Sequence, residues 1–173
     1  FASSGKTPSW RVLSRNRPGE LEQRLAAGRE ALRRFVAAEE ASPFRPARIE
    51  QPFAFHRAAT QVRGRFDRVD ARPEGAVIID YKSSDIRAQK EADRRTAESL
   101  QLALYALAHR EATGHLPGRL EMHFLETGLT GTAVPGPETL ARAEEAIQRV
   151  AAGLRARAYT ATPGYQQCGA CAY

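Results

Sequence analysis

The order of apolar and polar positions predicts helices and strands in mixed succession. Leu21, Leu25 and Leu32 recur close to a helical period, as expected for an amphipathic helix over residues 20–41. The same spacing predicts two more helices, over about 96–112 and 138–157. Extended patterns predict strands over residues 48–57, 60–70, 76–82, 119–126 and 130–134. This order indicates an α/β fold with a central mixed β-sheet flanked by helices.

The segments 60–70 and 76–82 are the most informative predicted strands. Alternation in the first predicts two faces, one with Val62, Gly64, Phe66 and Arg68 and the other with Arg63, Arg65, Asp67 and Val69. The second segment, AVIIDYK, is a nearly continuous apolar run, which is typical of a strand covered on both faces. The Arg-Pro-Glu-Gly turn at 72–75 joins the two segments into a hairpin.

Candidate chemistry collects at the end of this hairpin. A period of two places Asp80 and Lys82 on the same face of their strand, and Asp67 can face Asp80 from the neighbouring strand. Two carboxylates this close repel each other unless a cation lies between them. A hard divalent ion such as Mg²⁺ prefers oxygen ligands, so the pair indicates a metal site. Taken singly, each residue is better interpreted as part of an ordinary ion pair or turn; the combination favours the site.

The combined motif has a known counterpart. Gly-x-x-Asp-Arg-x-Asp at 64–70, then Ile-Ile-Asp-Tyr-Lys at 78–82, then Gln101 and Tyr105 on a helix, resembles the RecB-like branch of the PD-(D/E)XK nucleases. The resemblance extends from about residue 48 to the C-terminus. It implies a restriction-endonuclease-like core and a single nuclease domain over 1–173, made of an N-terminal loop and helix (1–47), a nuclease core (48–157) and a Cys-containing tail (158–173).

The resemblance also implies roles for individual residues. Asp67 and Asp80 would bind Mg²⁺ or Mn²⁺, helped by the main-chain carbonyl of Tyr81. Lys82 would position the attacking water and stabilise charge on the scissile phosphate. The supporting or DNA-binding residues would be Gln101, Tyr105 and Arg68.

The implied function is a metal-dependent deoxyribonuclease that hydrolyses phosphodiester bonds, with single-stranded DNA as substrate. In this branch such domains work in DNA repair and recombination, joined to a helicase domain or subunit. Two other interpretations stay open: an inactive nuclease fold kept as a DNA-binding or scaffolding module, and a plain interaction domain with chance motif matches.

The C-terminal tail carries a second resemblance. Cys168 and Cys171 resemble the start of the cysteine cluster that closes iron–sulfur nucleases of the AddB type. A [4Fe–4S] cluster takes four ligands, so two thiols would be part of a set completed in a longer protein. Zinc binding and free thiols are the alternatives. RecB-like members also carry a metal-binding histidine on an N-terminal helix, whereas helix 20–41 has none and His56 lies on a predicted strand. Both departures indicate a fragment of a longer chain.

Composition adds little beyond this picture. The net charge is +6 and only three of the 26 basic residues are lysines. Arginine suits phosphate contacts, but a GC-rich genome produces the same bias, so the charge does not decide between the two explanations. The sequence has no apolar run that could span a membrane and no signal-peptide pattern, which predicts a cytoplasmic protein without a membrane partner.

Overall fold

A five-stranded mixed sheet forms the centre of the structure, a computed structural model that describes residues 18–161 and 163–164. The strands lie in the order β1 (Pro46–Arg57), β2 (Thr60–Arg72), β3 (Gly75–Lys82), β4 (Arg119–Phe124) and β5 (Leu129–Ala133). Neighbours are antiparallel except β3 and β4, which are parallel. The mixed sheet expected from the sequence is confirmed.

Four helices accompany the sheet: α1 (Pro18–Ala41), α2 (Gln89–Glu98), α3 (Leu100–Thr113) and α4 (Pro137–Arg155). The single helix predicted over 96–112 is wrong at its start. Residues 96–98 belong to a separate helix, α2, and Ser99, with an extended ψ of 117°, separates α2 from α3. Only Ala92 and Thr96 of α2 are buried, so the helix lacks the large apolar residues that reveal a buried stripe. Among the helices of the described residues, none is long and apolar enough to cross a membrane.

The main core lies between one face of the sheet and helices α3 and α4. Ile78 of β3 packs there with Leu102 and Leu107 of α3, and all three side chains are fully buried. Leu140 and Ile147 bring α4 against the same cluster. This packing fixes α3 above the end of β3, where the candidate residues collect.

The other face of the sheet is covered by α1. The ring of Phe35 on α1 meets that of Tyr81 on β3 edge to face, with centroids 5.5 Å apart. The apolar residues that predicted this helix are less buried than an amphipathic pattern suggests, because Leu21, Leu25, Leu32 and Val36 are each 50 to 60% exposed. Ala31, in contrast, is buried.

Strand β2 changes faces close to Asp67. Phe66 and Val69 pack into the same core cluster although they are three residues apart, and Arg68 points to the α1 side. The predicted alternation therefore fails between Phe66 and Asp67, because Phe66 shares a face with Val69 rather than with Arg68. On the partner strand, Glu50 has a left-handed φ of 49° and the register shifts between Pro46 and Arg48, as in a β-bulge. The irregularity lets β2 present Asp67 beside β3 while it buries Arg68 beneath the sheet.

Candidate active site

Asp80 and Lys82 form a partly buried ion pair at the end of β3. Asp80 is fully buried, and its Oδ2 atom lies 2.5 Å from Lys82 Nζ. The pair lacks the angles of a hydrogen bond, and within the described part of the chain Asp80 Oδ1 has no hydrogen-bond partner either. The predicted placement of both side chains on one face is confirmed. A buried carboxylate with an unpartnered oxygen is costly, so the site is prepared for a ligand rather than for stability alone.

Asp67 joins this pair from β2. Its Oδ2 atom accepts a hydrogen bond of 3.1 Å from the main-chain N–H of Tyr81, which fixes the carboxylate next to the Asp80 backbone. Burial raises the pKa of Asp80, the ammonium of Lys82 lowers it, and the nearby charge of Asp67 raises it; the net effect is a raised pKa. The two carboxylates therefore interact electrostatically, as a shared cation site requires.

A hydrogen-bonded chain connects Lys82 to helix α3. Lys82 Nζ donates to Gln101 Oε1 over 2.8 Å, and Gln101 Nε2 donates to the hydroxyl of Tyr105 over 2.9 Å. Burial raises the pKa of Tyr105 and the bond from Gln101 lowers it, and the net shift is upward, so the phenol stays protonated. Gln101 lies in the first turn of α3, where the helix dipole is positive.

An aromatic wall holds Tyr105 in place. Tyr105 is only 7% exposed, and its ring meets Phe66 and Phe53 with centroids 5.3 and 5.8 Å away. A Cβ atom on Gly64 would overlap the ring of Phe53, so the glycine of the motif gives this ring its space. The sequence does not reveal Phe53 as a site residue, because its contact with Gly64 depends on the register of β1 against β2.

Arg68 lies on the opposite face of the sheet from the carboxylates. Its Nε and Nη2 atoms hold both oxygens of Asp70 at 2.5 and 3.0 Å, and its Nη1 atom donates to Glu39 over 2.6 Å and to the Tyr81 hydroxyl over 3.3 Å. Burial lowers the pKa of Arg68, but these partners outweigh it and the net shift is upward. Arg68 is only 4% exposed, and its contacts are to Asp70, Glu39 and Tyr81. It therefore holds Tyr81 from the α1 side of the sheet and does not fit a direct DNA contact.

The charged cluster beneath the sheet continues towards β4. Arg72 bridges Asp70 at 3.1 Å and Glu121 at 2.9 Å, and Glu121 also meets His123 at 2.9 Å. Burial raises the pKa of Glu121, but His123 and Arg72 lower it more, so it stays below its usual range. The side chain of His123 is 22% exposed, and its ring lies against Tyr81. The cluster fixes Tyr81, whose backbone carries the N–H that binds Asp67.

The residues present fit a hard divalent cation. The two carboxylates offer oxygen donors, and the unpartnered Asp80 Oδ1 is available to coordinate. Within residues 18–161 and 163–164, no group of three or more His, Cys, Asp or Glu side chains is gathered to hold a metal. Protein ligands at this site are therefore few, as is usual for Mg²⁺, which keeps several waters. Cys168 and Cys171, predicted to bind an iron–sulfur cluster, lie outside the described residues.

A comparison with protein families decides the affiliation of the chain. Residues 7–173 match the profile of the PD-(D/E)XK nuclease superfamily. The chain belongs to this superfamily. Its five-stranded mixed sheet and four helices agree with the restriction-endonuclease-like α/β fold of these nucleases. Comparison with curated proteins gives no match. PD-(D/E)XK nucleases usually use Mg²⁺ or Mn²⁺ and act on DNA, so the family supports a metal-dependent nuclease.

Proposed function

We propose that this chain is a Mg²⁺- or Mn²⁺-dependent deoxyribonuclease of the RecB-like branch that cuts single-stranded DNA. In this proposal it works in DNA repair or recombination as part of a helicase–nuclease. The observation that carries the proposal is the fully buried Asp80, which has an unpartnered oxygen and lies in contact with Lys82. An ordinary structural ion pair would not leave a buried carboxylate oxygen unsatisfied.

Asp67 and Asp80 are the residues that would hold the cation, helped by the main-chain carbonyl of Tyr81. When bound, a divalent metal lowers the pKa of a coordinated water and offsets the charge of the phosphate. Tyr81 keeps Asp67 in place through its N–H, and the cluster beneath the sheet keeps Tyr81 in place. Asp67 and Tyr81 would then need to move little before the chemical step. Charged groups that are already in place favour catalysis.

Lys82 would supply positive charge to the reacting phosphate and orient the attacking water. In the structure its ammonium is shared between Asp80 and Gln101. A cation held by Asp67 and Asp80 would compete with Lys82 for the Asp80 carboxylate. Gln101 would then hold the Lys82 ammonium near the scissile phosphate. Tyr105 sets the orientation of the Gln101 amide, since it accepts from Nε2 and leaves Oε1 for the lysine.

The test is cleavage of an end-labelled single-stranded DNA in Mn²⁺ by the wild type and by Asp80→Asn. We expect the variant to lose about a hundredfold or more in rate, because a neutral amide holds a divalent cation more weakly than a carboxylate does, and the charge that the metal supplies to the phosphate is then lost. Asp85→Asn is the matched control, since Asp85 is exposed and pairs with Arg87. Duplex DNA and RNA of the same sequence, assayed in parallel, test the preference for a single DNA strand.

A second candidate function is an inactive nuclease fold that binds DNA. The observation that favours it is the small number of gathered protein ligands within the described residues. DNA binding without cleavage by the wild type, in Mg²⁺ and in Mn²⁺, would decide for this candidate.

The cysteine pair supports a separate part of the proposal, an iron–sulfur cluster in the full-length protein. Anaerobic purification of a chain that contains Cys168 and Cys171 with its flanking sequence should give bound iron and sulfide and the visible absorption of a cluster. Zinc in place of iron, or no metal, would contradict it.

A further inference from the structure

An open groove of about 320 Å³ lies beside Lys82, between the end of β3 and the C-terminal turn of α2. We call it the α2 groove. Its walls carry two cations, Lys82 and Arg95, and the hydroxyls of Ser84 and Ser99, while Met122 and Phe124 line its floor. Met122 and Phe124 are 5% and 1% exposed, so the floor is apolar and partly excludes water.

Two adjacent arginines of α2 differ in how their guanidinium groups are used. Arg94 holds Glu91 through Nε at 2.9 Å and Nη2 at 2.8 Å, and Glu98 through Nη1 at 2.6 Å. Arg95, in contrast, contacts Glu91 through Nε alone, at 2.9 Å. Within the described residues its Nη1 and Nη2 atoms have no carboxylate partner, and the side chain is 48% exposed. One end of the Arg95 guanidinium is therefore available to a ligand in the groove.

Two acidic residues of α2, Glu91 and Glu98, lie near Arg95 and leave one end of its guanidinium open. Glu98, which also lines the groove, is occupied by Arg94. Hydrogen bonds from Arg94 and Arg95 lower the pKa of Glu91 to about 2, so Glu91 is ionised at neutral pH and pairs with both arginines. An exposed ion pair of this kind contributes little stability, so a phosphate could bind Arg95 at small cost to the fold.

The groove is continuous with the candidate active site. Lys82 belongs to both, since it contacts Asp80 and Gln101 and also lines the groove. Ser99 caps α3 by accepting a hydrogen bond of 3.2 Å from the N–H of Leu102. The first N–H groups of any helix have no intrahelical acceptor, so the start of α3 carries partial positive charge. A lysine, an arginine and the start of a helix therefore lie beside the candidate active site.

We propose that Arg95 binds a DNA phosphate adjacent to the scissile one, in the α2 groove, and so positions the strand for cleavage. This inference rests on the proposed function, because it names a second phosphate site for the same substrate. Arg95 would be a positioning residue: a free guanidinium end offers two parallel N–H donors, which match two oxygens of one phosphate.

The test compares Arg95→Gln with Arg33→Gln, which removes the same charge from an exposed arginine of α1 that pairs with Glu30 and does not line the groove. In single-stranded DNA cleavage we expect Arg95→Gln to lower kcat/KM about tenfold with little change in kcat, since a flanking contact acts on binding. The slope of log affinity against log salt should become shallower by about one phosphate contact. Arg33→Gln should leave both quantities close to wild type. Thermal melting of both variants shows whether each is folded.

A chemical probe locates the contact. Single-stranded DNA with one neutral methylphosphonate at a known linkage should be cut more slowly by the wild type at the bond beside that linkage. In Arg95→Gln the same neutral linkage should have no further effect, because the contact is already absent. Equal losses in Arg95→Gln and Arg33→Gln, or an unchanged methylphosphonate effect in Arg95→Gln, would overturn the subsite and leave the proposed function intact.

If the wild type binds DNA but does not cut it, the proposed function fails independently. The salt slopes of binding by the two variants then decide about the subsite: a shallower slope for Arg95→Gln alone supports it, and equal slopes overturn it.

Discussion

Asp80 combines three properties that rarely occur in one structural residue. It is fully buried, it carries an unpartnered oxygen, and burial is the largest cause of its raised pKa. A raised carboxyl pKa means that the folded state binds the proton more tightly than the unfolded state does. The stability from that proton is fully present below the usual pKa and is lost as the pH rises through the raised value. Near neutral pH the ionised side chain therefore weakens the fold.

Asp80→Asn should stabilise the protein without metal at neutral pH. We expect a gain of about 1 kcal/mol, or a melting temperature about 2–4 °C higher, because the amide carries no charge into the buried site. The gain should shrink as the pH is lowered towards the usual carboxyl range, where Asp80 itself is protonated. Melting curves across this pH window measure it. Asp85→Asn should show no such gain, since Arg87 lowers the pKa of Asp85; equal effects in both variants would contradict the explanation.

At the residue scale, the sequence predicts the strand that carries Asp80 and Lys82, but not the residues that pack around it. The two-residue spacing of Asp80 and Lys82 is sufficient to place both on one face. The contact between Gly64 and Phe53 could not be predicted, because it depends on which residues of β1 and β2 lie opposite each other. The change of face between Phe66 and Asp67 could not be predicted either, because it leaves no mark in the residue pattern.

At the scale of elements, α2 shows how a helix can dock without large apolar residues. It packs against β5 through a close approach at Gly131, where a Cβ atom would overlap the Ala92 carbonyl and the Thr96 hydroxyl. Asp93 adds a hydrogen bond of 2.9 Å from the N–H of Thr132. Small residues and polar contacts give no apolar stripe, which explains why the sequence pattern predicted α3 but not α2. The docking also fixes Arg95 beside Lys82 in the α2 groove.

Gly131→Ala should destabilise the protein by about 1–3 kcal/mol, the range for overpacking a tight contact. The added methyl group meets backbone of α2, which cannot move aside as a flexible side chain could. Urea unfolding measures the change. Gly153→Ala is the matched control, because Gly153 sits in helix α4 and a Cβ atom added there would meet no atom within 4 Å; there alanine should stabilise by about 0.5–1 kcal/mol. A neutral Gly131→Ala would show that α2 is not tightly docked.

At the scale of the whole molecule, the two faces of the sheet have different roles. The face towards α3 carries the carboxylates, Lys82 and Gln101, and the face towards α1 carries the buried charge cluster around Arg68. Tyr81 connects the two, because its N–H binds Asp67 and its hydroxyl accepts from Arg68. This arrangement supports a rigid strand at the candidate site. Its cost in stability is concentrated at Asp80, where a bound cation would relieve it.

Mn²⁺ should therefore stabilise the whole fold. A ligand that binds only the folded state adds about 2.7 kcal/mol at a concentration one hundred times its Kd. We expect the melting temperature of the wild type to rise with Mn²⁺ concentration and that of Asp80→Asn to stay almost constant. Asp85→Asn should behave like the wild type. Equal rises in the wild type and Asp80→Asn would place the metal elsewhere.

The most direct measurement is the initial rate of single-stranded DNA cleavage in Mn²⁺ by the wild type and Asp80→Asn, with both proteins also melted in the same buffer without Mn²⁺. If Asp67, Asp80 and Lys82 form a metal-dependent nuclease site, the wild type cuts, EDTA stops it, and Asp80→Asn is inactive although it melts at a higher temperature than the metal-free wild type. Cleavage by Asp80→Asn at the wild-type rate, or no cleavage by the folded wild type, would contradict the assignment.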